Sequence, residues 1–215
     1  DTGSETIYRM RIDLRGITPP IWRRVEVSDC SLAELHVVVQ AAMGWTDCHL
    51  HEFEIDLDRY SVPSPFGGDE DMGTIDARDV WLSEVIRGKG AKLRYMYDFG
   101  DGWDHSIKVE AVEAGDPSQV YPRCVKGNRN CPPEDCGGVC GYQELLEILS
   151  DPKHPEHEER IEWIGEFDSE SFDAAESTGY MQSWLSSVAQ PKRPASASSS
   201  GDFDINLDLF DDDGE

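Results

Sequence analysis

The chain has 215 residues, 38% apolar and 29% charged, with a net charge of −25 from 44 acidic and 19 basic side chains. This is the make-up of one globular domain with appendages, not of a disordered chain. No apolar run approaches the roughly 20 residues that span a bilayer, and so acidic a surface repels phosphate backbones, so membrane and nucleic-acid roles are set aside.

The opening DTGSETIYRM carries no basic-then-apolar leader, and the six cysteines are even in number. Both point to a cytoplasmic protein whose thiols are reduced or metal-bound rather than paired. YRMRIDL alternates, with Tyr8, Met10, Ile12 and Leu14 on one side, and predicts a half-buried strand. GITPP interrupts it, and IWRRVEV predicts a second strand. Arg9, Arg11, Arg15, Arg23 and Arg24 are the only candidate basic patch; they read as the solvated faces of two edge strands.

SLAELHVVVQAAMGW predicts a helix. Ser31 and Glu34 have capping-box spacing, Leu32, Leu35, Val38, Val39 and Ala42 form the buried stripe, and Gly44 is the stop. HLHEFEIDLDRYSV alternates again, with His49, His51, Phe53, Ile55 and Leu57 sharing a face. PSPFGGDEDMG is loop by composition, and VWLSEVI is a short helix. KLRYMYDFG and HSIKVEAVE are strands joined at DGWD as a hairpin. The expected core joins Leu35, Val39, Phe53, Tyr95, Tyr97 and Ile107. GYQELLEILSD, HEERIEWIGEF and FDAAESTGYMQSWLSSV then read as two or three helices.

Strands first and helices after give an α+β fold: a mostly antiparallel sheet with one early helix and a C-terminal helical segment. The domain spans 7–188. Residues 189–215 are a Pro/Ala/Ser linker and an acidic tail, GDFDINLDLFDDDGE, too poor in apolar residues to fold alone. Phe203, Ile205, Leu207, Leu209 and Phe210 alternate with acids in that tail, a pattern suited either to solubility or to docking on a basic, apolar groove of a protein partner.

Three stretches, GWTDCHLHEFEI, LRYMYDFGDGWDHSIKVE and PRCVKGNRNCPPEDCGGVCGYQELLEIL, resemble in order and spacing the plasmid pRiA4b ORF-3-like family. The resemblance runs from about Tyr8 to Trp184 and implies a small α+β domain. It implies no particular activity. Some members are labelled transposon passenger proteins or recombinases, which ties the family to mobile elements. This chain has no compact catalytic serine motif with arginine partners, and its charge is wrong for DNA. Cys136 and Cys140 lie outside the core of the family pattern.

Two constellations carry potential chemistry. Cys124, Cys131, Cys136 and Cys140 are spaced C-x6-C-x4-C-x3-C, looser at the start than the tight pairs of zinc clips; His154 and His157 are possible replacement ligands. The favoured reading is a rigid loop made by Pro132, Pro133, Gly137 and Gly138, with zinc as the alternative. His49, His51, Asp98, Asp101 and His105 could converge, the right composition for a divalent metal or proton transfer. The favoured reading there is structural: His49 and His51 fix loop geometry beneath Trp45 and Trp103. Asp98-Phe99-Gly100 lacks every companion of a kinase site and reads as a strand end. Glu134 and Asp135 read as a turn before a helix rather than an acid–base pair. The function expected is a non-enzymatic accessory or protein-interaction domain, with a metal-dependent hydrolase-like enzyme as the alternative.

Overall fold

A computed structural model describes residues 5–63 and 73–188. The linker and acidic tail, and nearly all of PSPFGGDEDMG, lie outside the described residues.

β1 (Thr6–Leu14) and β2 (Ile21–Ser28) form an antiparallel pair in which Met10 faces Val25 and Arg9 faces Glu26. Each strand therefore splits into a mainly apolar and a mainly charged face. α1 (Leu32–Met43) follows. Its capping box is formed: Ser31 accepts from the Glu34 N–H, and the Glu34 carboxylate accepts from the Ser31 N–H. Gly44 stops it at φ 100°, in the left-handed region that a side chain would strain.

β3 (His51–Ile55) and β4 (Asp58–Ser61) make a hairpin, and β5 (Ile75–Asp76) adds to β4 in parallel. α2 (Leu82–Val85) is a single turn. β6 (Lys92–Tyr97) and β7 (Trp103–Ala114) form the expected hairpin, and β8 (Arg123–Asn128) pairs with β2. The eight-stranded sheet runs β5-β4-β3-β6-β7-β1-β2-β8, antiparallel except at β4–β5. α3 (Gly138–Ser150), α4 (His157–Ile164) and α5 (Ala174–Ser187) complete the α+β fold. α5 packs on α1 and β8, which is why α1 is buried almost all round.

The core lies on the sheet face that carries Met10, Ile12, Val25, Phe53, Tyr95, Tyr97 and Ile107, with Leu35 and Val39 of α1 packed in the same cluster. All six expected core residues are there. The opposite face is a ladder of ion pairs: Arg9 with Glu26 and Glu113, Arg24 with Glu110, Arg94 with Asp104.

Three expectations are corrected. β1 and β2 are interior strands, because β7 and β8 flank them. Their arginines are mostly neutralised across the ladder, and Arg23 points inward, donating to the Ala42 and Asn128 carbonyls while its guanidinium stacks on Phe172. Leu57 is 96% exposed: Asp56, at φ 56°, turns the chain there, so the 49–62 run is a hairpin and not one strand. The cysteine stretch is only partly loop. Cys124 sits in β8, and α3 begins at Gly138, ahead of Cys140.

Candidate functional site

Three connections meet at one end of the sheet: residues 44–50 between α1 and β3, 98–102 between β6 and β7, and 129–137 between β8 and α3. They are stitched together by polar bonds. Trp45 is buried and donates its indole N–H to the Pro132 carbonyl at 3.0 Å. The Asp98 N–H donates to the Leu50 carbonyl at 2.9 Å. One oxygen of Glu134 accepts from the Thr46 N–H at 2.9 Å and from the Tyr97 hydroxyl at 3.0 Å, and the Tyr97 oxygen in turn accepts from the Cys48 N–H. Burial and the Glu134 charge both push the Tyr97 phenol up, which keeps it a donor. Asp101 accepts from the Gly137 N–H.

This stitching places His49 among carboxylates. Its Nε2 lies 3.1 Å from Asp135 Oδ1, 3.8 Å from Asp98 Oδ2 and 4.0 Å from Glu134 Oε2. The ligand atoms of His49, Asp98 and Asp135 all fall within 4.8 Å of one another. His49 Nε2 and Glu134 Oε2 are buried atoms without a hydrogen-bond partner; Asp135 is close but out of line with the ring N–H. Among the described residues no Lys or Arg pairs with these three carboxylates. Gathered negative charge without a counter-ion is unfavourable. Asp98 and Asp135 hold their positions at φ 53° and 56°, left-handed conformations that aspartate tolerates best among charged residues and that recur at functional sites.

A second group, His36, Asp47 and His51, lies beside it; His36 and Asp47 are tied into a hydrogen-bonded cycle, while His51 Nε2 is a buried atom without a partner, as His49 Nε2 is. Asp47 can only accept, so His36 Nε2–H donates to it at 2.8 Å. Nδ1 then accepts from the Tyr95 hydroxyl at 2.8 Å, the Tyr95 oxygen accepts from the Gln40 amide at 2.9 Å, and Gln40 Oε1 accepts from the Asp47 N–H at 3.0 Å. The ring of four bonds pins the 44–50 connection to α1. His51 stacks on His36 with centroids 3.4 Å apart and planes 7° from parallel. Burial, with His36 adding to it, pushes the His51 imidazole down to about 2, so it is neutral. The polar atoms of this cycle are committed to one another, whereas His49 Nε2 and Glu134 Oε2 have no hydrogen-bond partner.

The five candidate residues are thus divided. His49 and Asp98 come together. His51 joins the stacked pair. Asp101 ties the β6–β7 turn to α3. His105 is fully buried, edge-on to Trp45, and burial lowers its imidazole to about 4. Asp135 and Glu134 complete the cluster from a segment that reads in sequence as a turn. His36 and Gln40 gave no sequence signal, since an amphipathic helix carries polar residues anyway, and Asp47 lies in the connection that follows the helix.

The cysteines are spread through different environments. Cys124 and Cys131 are buried, Cys136 is half-buried and Cys140 exposed, and none belongs to either ligand group among the described residues. Burial pushes the Cys136 thiol up to about 12 and Cys131 higher still. His157 Nδ1 donates to the Ile148 carbonyl at 2.9 Å instead.

The paired glycines have a steric reason. Gly138 has φ 66°, and a Cβ there would run into the Asp101 carbonyl oxygen. Gly138→Ala is expected to cost about 2–4 kcal/mol, from the left-handed backbone and the backbone clash together. Urea denaturation checks it; a cost near zero would show that α3 and the β6–β7 turn are not locked.

The profile of the plasmid pRiA4b ORF-3-like proteins matches residues 6–176. The uncharacterized protein y4hQ of Sinorhizobium fredii (strain NBRC 101917 / NGR234) is 43% identical over 168 residues, covering 77% of this chain and 84% of that protein. A crystal structure of a protein of unknown function, MM3350 from Methanosarcina mazei Go1, superposes with a TM-score of 0.72 at 37% identity over 80% of this chain and 97% of that one. The three stretches that meet around His49 are those that carry the sequence resemblance, and the chain belongs to the plasmid pRiA4b ORF-3-like family.

Proposed function

We propose that the protein is a non-enzymatic accessory or protein-interaction domain whose joined connections are held by a divalent cation at His49, Asp98 and Asp135. The observation that carries this is the uncompensated carboxylate cluster around one unpartnered imidazole nitrogen. One imidazole with two or three carboxylates suits manganese or zinc better than a soft copper(I) site. The cavities that adjoin the cluster, one against Asp135 and one against Leu50 and Phe99, are about 60 Å³ each, far below the 300 Å³ or more of ordinary substrate pockets. A metal-dependent hydrolase is the second reading. It is favoured by one feature: the Asp135 side chain is 71% exposed, which leaves the cluster open to water.

Titration calorimetry on protein stripped with a chelator tests both. One equivalent of manganese or zinc is expected to bind, and His49→Ala or Asp98→Asn to weaken it at least about tenfold. Unchanged binding in both variants sinks the metal reading. Metal-dependent hydrolysis of p-nitrophenyl phosphate or acetate, lost in Asp98→Asn, would replace the accessory reading with the enzymatic one.

A further inference from the structure

The sheet face opposite the core carries one row of like charge. Lys92 of β6 lies opposite Lys108 of β7, Lys108 opposite Arg11 of β1, Arg11 opposite Arg24 of β2, and Arg24 opposite Lys126 of β8. Residues directly opposite one another share a face, so five cations cross five neighbouring strands in register. At about 4.8 Å between strands the row is about 19 Å long. Like charges set directly opposite are destabilising, and here four such pairs follow one another. Asp13 neutralises Arg11, and Glu110 neutralises Arg24. Lys92, Lys108 and Lys126 are exposed and make no ion pair among the described residues.

These are three of the six lysines in a chain of net charge −25, so the row is a local exception that attracts acidic segments. Trp22 gives it an apolar flank. The ring is half-buried, with the Cζ atoms of Arg11 and Arg24 at 4.2 and 5.4 Å from its centroid. The chain itself holds a segment of matching chemistry. Residues 202–215 carry seven acidic side chains and no basic one, with Phe203, Ile205, Leu207, Leu209 and Phe210 among them. The path to the row is short. The described chain ends at Val188, at the close of α5. α5 packs on β8, and its Gln182 amide donates to the Pro122 carbonyl, immediately before that strand. β8 is an edge strand, and its Lys126 ends the row. Residues 189–201 span at most about 45 Å when extended, ample to round that edge, and about six extended residues cover the row.

We propose that residues 202–215 dock on this row in the same molecule, their carboxylates against Lys92, Lys108 and Lys126 and a phenylalanine ring against Trp22. Each exposed ion pair is weak alone, but a short tether holds the tail at about millimolar effective concentration. A phosphate backbone is the poorer fit, because the rest of so acidic a chain repels it. This inference is independent of the metal reading.

The test is NMR on the full chain, with chelator present throughout, against a free peptide of residues 202–215. In the wild-type protein the amide signals of 202–215 are expected to stand away from those of the peptide. They are expected to return to the peptide positions in about 1 M sodium chloride, where the Debye length is about 3 Å. The triple variant Lys92→Glu, Lys108→Glu, Lys126→Glu is expected to have the same effect with the core signals in place, since these lysines are exposed and unpaired. Neutralising the tail instead, with Asp211→Asn, Asp212→Asn and Asp213→Asn, is expected to shift the Trp22 indole signal and leave every folded element untouched. Wild-type tail signals that coincide with the peptide, or that stay in place in high salt or in the lysine variant, would each overturn the inference. So would signals that return to the peptide positions on dilution, which is the mark of a tail supplied by a second molecule.

Discussion

Replacing Phe53 with alanine should destabilise the domain by about 3–5 kcal/mol, the range for deleting a fully buried aromatic ring. Phe53 has 0% exposure at the centre of β3. It faces Tyr95 across the strand pair with ring centroids 4.8 Å apart and lies opposite Tyr60 on the other side. The cavity left behind is walled by hydrogen-bonded strands, which cannot close on it. For a domain of this size the melting temperature should fall by about 6–20 °C. A loss below about 1 kcal/mol would mean that the apolar face of β3 had been assigned to the wrong side.

Mild acid should destabilise the protein through two histidines. His51 is pushed down to about 2 and His105 to about 4, in both cases chiefly by burial, against 6.5 for a free imidazole. Below pH 6.5 the unfolded chain takes up these protons and the folded chain does not. Stability is therefore full above about pH 7 and falls with pH, by about 1.4 kcal/mol per unit for each histidine. Between pH 7.5 and pH 5 the two together should remove about 4 kcal/mol. The ion-paired carboxylates do not blur this window: Glu26, between Arg9 and Arg123, and Glu110, beside Arg24, are held below the usual range and lose their contribution only in stronger acid. Urea midpoints across the range check the slope, and His105→Asn should roughly halve it. A flat profile from pH 7.5 to 5 would show that both imidazoles protonate freely in the folded state.

Much of the fold was legible in short stretches of chain. The alternation of β1 and β2, the Ser31–Glu34 box, the Gly44 stop and the hairpin around DGWD are each specified by residues within a few positions of one another, so local sterics and hydrogen bonding decide them. What failed locally failed for a physical reason. RCVKGN reads as loop because Lys126, Gly127 and Asn128 are poor strand formers; it becomes β8 because β2 offers it an unpaired edge and α5 packs beside it. Leu57 reads as core because period two was carried through a turn that one left-handed aspartate, Asp56, makes.

The candidate site divides the same way. Sequence alone determined the family, the α+β class, the core face, and that His49 and Asp98 were worth weighing. It did not separate His49 from His51 and His105, nor join His49 to Asp135, because those relations depend on sheet order and on the bends of three connections distant in the chain. His51 faces Tyr97 and His105 faces Tyr95 across β6, so the core side of the sheet takes both imidazoles inward and makes them neutral. His49 lies one residue before the ladder reaches Leu50, outside β3, and turns instead toward Asp98 and Asp135. Which histidine meets carboxylates and which meets rings is set by strand register and burial, and those exist only once the chain has packed.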